Sequence, residues 1–438
     1  MEKLTKEEHV KGLLALSPVI LFEILFFGFM LISGEFSDVP ILLCFILASI
    51  YAVFLMRRTP IDERINVFAT EMGKNDIIQV ILILVFAGGF ASLAEKAGCL
   101  DAAIQFSLSV FPARFIFVSI FVAACLLSFC IGSAMGCVVA IAPVAIPLAR
   151  VYGLDEAMLS AAIIGGSMFG DNLSIISDTS IAASRYAGCT AKQKFQHNWP
   201  IAVPAALITA LIYLLMGLNV AEVDTVAKPF DWVMLIPYVV VIVTALCGMH
   251  VLPVLLLGML SAWVLGCWHG AFTFTGGAQI LSTGLTDSGG FCLFILMAAG
   301  LVAIIQRMGG VTYVSRLMEQ GVKSRKGAAI ATSCAAGLLT AFTAINTIAI
   351  IAASGIGVRF ADKFGISRAK IASILDMSSC CFQGVIPYGI HFIAIAALTG
   401  INPMKIVPWM LYPIILYVGV IIYCLLPEKK KRTAKTND

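Results

Sequence analysis

Charge is what this sequence has least of. Only 12% of its 438 residues are Asp, Glu, Lys or Arg, while 60% are apolar, and the mean hydropathy is +0.99. A soluble domain carries about 25% charge, so a water-soluble globule is excluded. Strict alternation of apolar and polar residues is missing too; the apolar runs are continuous, which excludes a transmembrane β-barrel. No H-E-x-x-H, no G-x-S-x-G and no cofactor fingerprint occurs, which leaves an intramembrane enzyme without a motif. The 13 cysteines sit mostly in apolar stretches, and Cys380 and Cys381 are adjacent, so neither a metal spacing nor a disulfide framework is present. Buried thiols of this kind act as small hydrophobes. The net charge of +4 comes from short basic loops and from Lys429, Lys430, Lys431 and Arg432, so nucleic acid is not an expected partner. The first ten residues are too charged for a signal peptide, and the apolar stretch after them reads as a retained helix.

What is there in quantity is hydrophobic length. Stretches 12–32, 39–56, 77–93, 115–131, 200–218, 233–247, 251–268, 291–305 and 406–426 approach the ~20 apolar residues that cross a bilayer. The expected fold is therefore an all-α polytopic membrane protein, with the lipid bilayer as its surroundings.

Within this apolar chain, residues 165–184 stand out: GGSMFGDNLSIISDTSIAAS. The run places Asp171 and Asp178 at bilayer depth, with Asn172, Ser174, Ser177, Thr179 and Ser180 beside them. An ionisable group there costs roughly 2.5–3.5 kcal/mol on insertion scales, and such groups persist mainly where they face a cavity and serve ion or proton movement. The two aspartates are seven apart, so an unbroken helix would carry both on one face. The glycines and hydroxyls would also let the helix break and free carbonyls for a cation. A carboxylate can hold a proton or a sodium ion, never both, which is the simplest basis for exchange. The bland alternative is a helix-packing seam glued by Ser and Thr.

The chain is written twice. Gly73, Asp76, Gly89 and Gly98 recur as Gly284, Asp287, Gly300 and Gly309, at an offset of 211 (284 − 73 = 211). Gly153 and Gly188 recur as Gly365 and Gly400 at 212, and Pro40 as Pro253 at 213. The expected layout is a cytoplasmic N-terminus (1–11), transmembrane repeat 1 (12–220), an extracytoplasmic linker (221–231), transmembrane repeat 2 (232–427) and a basic cytoplasmic tail (428–438). Basic clusters around Arg57, Arg185, Lys194, Arg316 and Arg368 fall on the cytoplasmic side, with both termini. Loop 95–114 then lies outside and its mate 306–326 inside, so the repeats have inverted topology, as in many secondary transporters. Stretches 115–150 and 328–360 are each broken, at Gly132-Ser133 and at Asn346-Thr347, an offset of 213 (346 − 133 = 213). Each is two crossings or one re-entrant hairpin, giving 14 crossings or 10 plus two hairpins; discontinuous helices with hairpins are preferred, because irregular backbone at depth belongs around a cavity.

The mate of the acidic run is residues 376–391, DMSSCCFQGVIPYGIH. An offset of 212 puts Gln383 opposite Asp171 and Ser379 opposite Ser167, while Asp178 meets apolar Ile390. Charge is concentrated in repeat 1; repeat 2 offers amide, hydroxyl and a backbone interrupted at Pro387. Asp376 is an acid for proton handling or a helix cap near the cytoplasmic boundary. His391 is a proton-handling group or a packed neutral imidazole, and Glu23 lines the cavity or contacts another helix. The break residues Ser133, Asn346 and Thr347 offer the oxygens that hard cations prefer.

At Phe169–Thr179 the chain resembles the sodium/proton antiporter NhaC family, whose pattern reads G-D-K-L-S-P-L-S-D-T-T. Gly170, Asp171, Leu173, Ser174, Ser177, Asp178 and Thr179 match, while Asn172 stands for Lys and Ile175 for Pro. Gly132, Ser133 and Gly136 resemble parts of G-T-S-W-G-T, and Ile386-Pro387-Tyr388-Gly389 resembles I-P-W-N. The resemblance implies Na⁺/H⁺ exchange across the cytoplasmic (inner) membrane, with Na⁺ at Asp171 and Asp178, neutral oxygens from Asn172, Ser174, Ser177, Thr179, Ser379, Gln383 and the two breaks, and no cofactor, Na⁺ and H⁺ being cargo. Replacing the family Lys removes one unit of charge beside Asp171, which admits a second expectation: coupled exchange of a small organic acid or amino acid. A passive channel is a further class, and a homo-oligomer is compatible with the sequence.

Overall fold

The computed structural model describes residues 4–33, 39–57, 59–110, 112–218, 220, 228–287 and 289–427. Most of the expected linker and the basic tail lie outside the described residues.

The described residues form helices throughout. The first half contains α1 (Lys6–Ser33), α2 (Ile41–Leu55), α3 (Ile61–Met72), α4 (Asn75–Lys96), α5 (Cys99–Val110), α6 (Ile116–Ile131), α7 (Ala134–Val151), α8 (Glu156–Leu173), α9 (Asp178–Ala187) and α10 (Ala191–Leu218). The second half contains α11 (Ile236–Leu246), α12 (Val251–Trp268), α13 (Phe274–Asp287), α14 (Gly289–Arg307), α15 (Gly310–Glu319), α16 (Arg325–Thr343), α17 (Asn346–Phe364), α18 (Arg368–Gln383), α19 (Ile390–Thr399), α20 (Pro403–Ile406) and α21 (Leu411–Leu425). Among the described residues, eight stretches are long and apolar enough to cross a membrane, or nine if α19 and the bent segment after it make one broken span. That is fewer than the ten or fourteen expected. α2 and α21, at 15 residues each, are too short by this measure, and α16 and α17 are not among the eight. Both arms of the first break, α6 and α7, qualify singly.

Helix starts recur down the chain at one offset: 346 − 134, 368 − 156, 390 − 178 and 403 − 191 all equal 212. Packing recurs with the halves exchanged. α4 lies on α13 and α14 on α3; α9 lies on α17 and α19 on α7. Within each half, α6 packs on α8 as α16 packs on α18. The second break is displaced from its expected place. Left-handed backbone closes α6 at Gly132 and α16 at Ala344, an offset of 212 (344 − 132), so the tip is Ala344-Ile345 and Asn346 begins α17.

The α6–α8 contact needs glycine. A Cβ on Gly166 would stand 2.5 Å from the Phe121 carbonyl oxygen, and one on Gly170 2.3 Å from the Phe129 amide nitrogen. Backbone thus meets backbone directly ahead of Asp171. Gly170→Val is expected to destabilise the protein by about 1–3 kcal/mol, read as a lower thermal midpoint in detergent; an unchanged midpoint would mean that this crossing tolerates a side chain.

Candidate functional site

The acidic run does not fold as one helix. Ser174 turns extended and ends α8, and its amide still donates to the Gly170 carbonyl at 2.8 Å. Ser177 caps α9, accepting from the Ser180 amide at 3.2 Å. Ser and Thr hydroxyls compete for backbone partners in this way, which is why they favour helix ends. Asp171 and Asp178 therefore sit on different helices, at the end of α8 and the start of α9, rather than on one helical face. Both still line one cavity, and Ile176 in the break packs over Gly132, whose Cβ would lie 2.6 Å from it.

The cavity has a volume of about 710 Å³. It brings together Asp171, Asp178, Thr179, Ser133, Asn346, Thr347 and His391, so both breaks and both halves contribute. Asp171 is 6% exposed, and its Oδ2 accepts from the Thr179 hydroxyl at 3.0 Å. Asp178 is exposed to the cavity. Asn346 takes the Thr347 amide on its own Oδ1 at 2.9 Å, and His391 is buried with Nδ1 lacking a partner. Among the described residues no three His, Cys, Asp or Glu side chains cluster as a metal cage. Beside the carboxylates of Asp171 and Asp178, the cavity wall carries hydroxyls and amides.

Several expected residues lie elsewhere. Ser174 and Ser177 serve the break from behind: Ser177 donates to the Asp171 carbonyl at 3.0 Å, and the Ser174 carbonyl accepts from Ser180 at 2.5 Å. Gln383 donates to the Ala344 carbonyl at 3.3 Å, supporting the second tip. Ser379 donates to the Asp376 carbonyl of its own helix and is off the cavity wall. Glu23 accepts from the Tyr388 hydroxyl at 2.6 Å, which joins α1 to the segment before α19 away from the cavity. Asp376 is not a boundary cap. It is fully buried in mid-α18, and its Oδ2 lies 2.6 Å from Lys194 Nζ.

Lys194 was expected in a cytoplasmic loop; it is 1% exposed inside α10. With it comes Asn198, whose Nδ2 donates to Asp376 Oδ2 at 2.9 Å and to the Asn172 carbonyl at 2.7 Å. Asn172 itself donates to Tyr412 at 3.2 Å. A sequence signal for this group exists. The buried stripe Ala202, Ala205, Thr209 and Tyr213 of α10, carried back by fours, passes through Asn198 and Lys194.

Helices broken beside buried carboxylates, around a cavity that both halves line, define a polytopic membrane transport protein. The chain matches the model described as the Na⁺/H⁺ antiporter family over residues 14–218 and 223–426 and belongs to that family. It is 22% identical to the malate-2H⁺/Na⁺-lactate antiporter of Bacillus subtilis (strain 168), covering 92% of this chain and 94% of that one. It is 19% identical to the Na⁺/H⁺ antiporter NhaC of Alkalihalophilus pseudofirmus, covering 85% and 87%. Among solved structures, the YdaH transporter of Alcanivorax borkumensis superposes with a TM-score of 0.45 at 13% identity, over 82% of this chain and 86% of that one.

Breaking a buried ion pair from one side leaves an uncompensated charge. Lys194→Met is expected to cost about 3–5 kcal/mol, and Lys194→Met/Asp376→Asn to recover most of it. Thermal unfolding of both variants in detergent checks this; equal loss in the two would mean that charge compensation is not what holds α10 to α18.

Proposed function

We propose that this chain exchanges Na⁺ for H⁺ across the cytoplasmic membrane by alternating access, with both termini cytoplasmic and the two halves in inverted topology. The observation that carries this reading is Asp171: a nearly buried carboxylate on a cavity wall, hydrogen-bonded to a neutral hydroxyl. A carboxylate so placed binds one proton or one Na⁺, and the two exclude each other. Asp178 offers a second carboxylate at the cavity, and Thr179, Ser133, Asn346 and Thr347 offer the neutral oxygens that hard cations take. Meeting of both breaks at one cavity is what hairpins entering from opposite faces require, and the antiport activity in the name of the NhaC relative agrees with the reading. Transport, not bond chemistry, is the activity assigned.

In everted vesicles loaded with a pH probe, Na⁺ addition is expected to dissipate the proton gradient in wild type. The response should fall by at least about tenfold, some 1.4 kcal/mol, in Asp171→Asn and vanish in Asp171→Asn/Asp178→Asn. Equal responses from wild type and the double variant would reject these acids as the exchange site.

A second reading, coupled exchange of a small organic acid, is favoured by one further feature of the cavity. Its volume of about 710 Å³ falls in the range of organic-ligand pockets. Arg185, seven residues after Asp178 on α9, lines it and has no ion-pair partner among the described residues. A guanidinium repels an entering cation and matches a carboxylate. Labelled dicarboxylate counterflow in proteoliposomes is then expected in wild type and lost in Arg185→Gln; no counterflow in wild type, under conditions where Na⁺ elicits proton movement, rejects this reading alone.

A further inference from the structure

Behind the cavity, off its wall, two side chains of α10 do the same thing twice. Lys194 Nζ lies 3.1 Å from the Asn172 carbonyl oxygen and 2.6 Å from Asp376 Oδ2. Asn198 Nδ2, one turn on, lies 2.7 Å from the same carbonyl and 2.9 Å from the same carboxylate oxygen. Two donors thus bridge one pair of acceptors, one on α8 and one on α18. The third hydrogen of the ammonium goes to Ser180 Oγ at 2.5 Å, so all three donors of Lys194 are used. Ser180 in turn donates to the Ser174 carbonyl.

We propose that Lys194 and Asn198 are positioning residues for the cation site, forming a clip that holds the α8–α9 break in register against the second half. The inference rests on the cation-exchange reading above and names residues that reading does not use. A helix end leaves its last carbonyls without amide donors. Here three of the carbonyls at the break have side-chain donors: Asp171 from Ser177, Asn172 from the clip, Ser174 from Ser180. Asn172 follows Asp171 directly, so the donors on the Asn172 carbonyl set the rotation of the turn that carries the Asp171 carboxylate. Thr179, which holds that carboxylate, precedes Ser180, which the ammonium holds. The clip therefore fixes both sides of the break. Stability alone does not explain an ion pair buried to 1% and 0% exposure, because well-packed apolar replacements of such pairs are often neutral or stabilising. A geometric role does, because the pair and Asn198 aim oxygens that a cation must meet at fixed distances.

The test uses purified full-length protein in detergent, with thermal stability followed against NaCl and, separately, LiCl, at constant ionic strength made up with choline chloride. Wild type, Asn198→Ala and Lys194→Met/Asp376→Asn are compared. Asn198→Ala removes one amide and no charge, and it decides the matter where the double variant does not fold. The expected result is Na⁺-dependent stabilisation of wild type, and a half-saturating Na⁺ concentration raised at least about tenfold in the folded variants, the size of a lost hydrogen bond to a charged group. The Na⁺/Li⁺ ratio should change with it. Folded variants that keep the wild-type half-saturation and ratio overturn the proposal, and so does a wild type that Na⁺ does not stabilise. The vesicle assay on wild type stands apart: Na⁺ stabilisation without Na⁺-evoked proton movement rejects the antiport reading, while the clip is judged on binding.

Discussion

A broken helix in hydrocarbon must find new partners for the backbone groups it releases, because no water is there to take them. Much of the centre of this protein answers that demand. The break between α8 and α9 exposes carbonyls beside Asp171, and the donors that reach them come from two places: Ser177 and Ser180 at the start of α9, and Lys194 and Asn198 on α10, which also donate to the Asp376 carboxylate on α18. One requirement thus couples the polar run of the first half to a helix of the second.

The same requirement shapes the cavity. Gly132 closes α6 in left-handed backbone and lies under Ile176 of the break. Ala344 does the same for α16, and Gln383 at the end of α18 donates to its carbonyl. Each tip is thus met by the region around the break of its own half, and the packing of α9 on α17 and of α19 on α7 brings the two sets to a common wall. Charge is unevenly shared. The first half brings Asp171, Asp178 and Arg185 to the cavity, with the Glu71–Lys74 pair, and the second brings Asn346, Thr347 and His391.

Much of this was legible in the residues alone. Continuous apolar runs and scarce charge identify a helical membrane chain, and the acidic run marks the candidate site because carboxylates at bilayer depth persist mainly where they face a cavity. The repeat spacing of 212 coincides with helix starts such as Ala134 and Asn346. Other features were misread or left open for identifiable reasons. Lys194 looked like a loop cation because charge counting places a lysine without knowing which way its helix faces. Asp376 was open between a proton-handling acid and a cap, because it lies close to Arg368 and Lys370, and α18 carries it inward. Glu23 was open between lining the cavity and contacting another helix, and its partner is Tyr388, more than three hundred residues away.

Composition and pattern determined by themselves the solvent this protein lives in, the doubling of the chain and the segment where chemistry is concentrated, because hydropathy, repeat offset and buried charge are properties of residues in order. Only the tertiary structure decided which acids face the cavity and which is neutralised behind it. Asp171 and Asp376 are both aspartates in small-residue helical segments; what separates them is that α10 delivers an ammonium to one and leaves the other beside a hydroxyl. That is a matter of which helices pack together, and no local pattern encodes it.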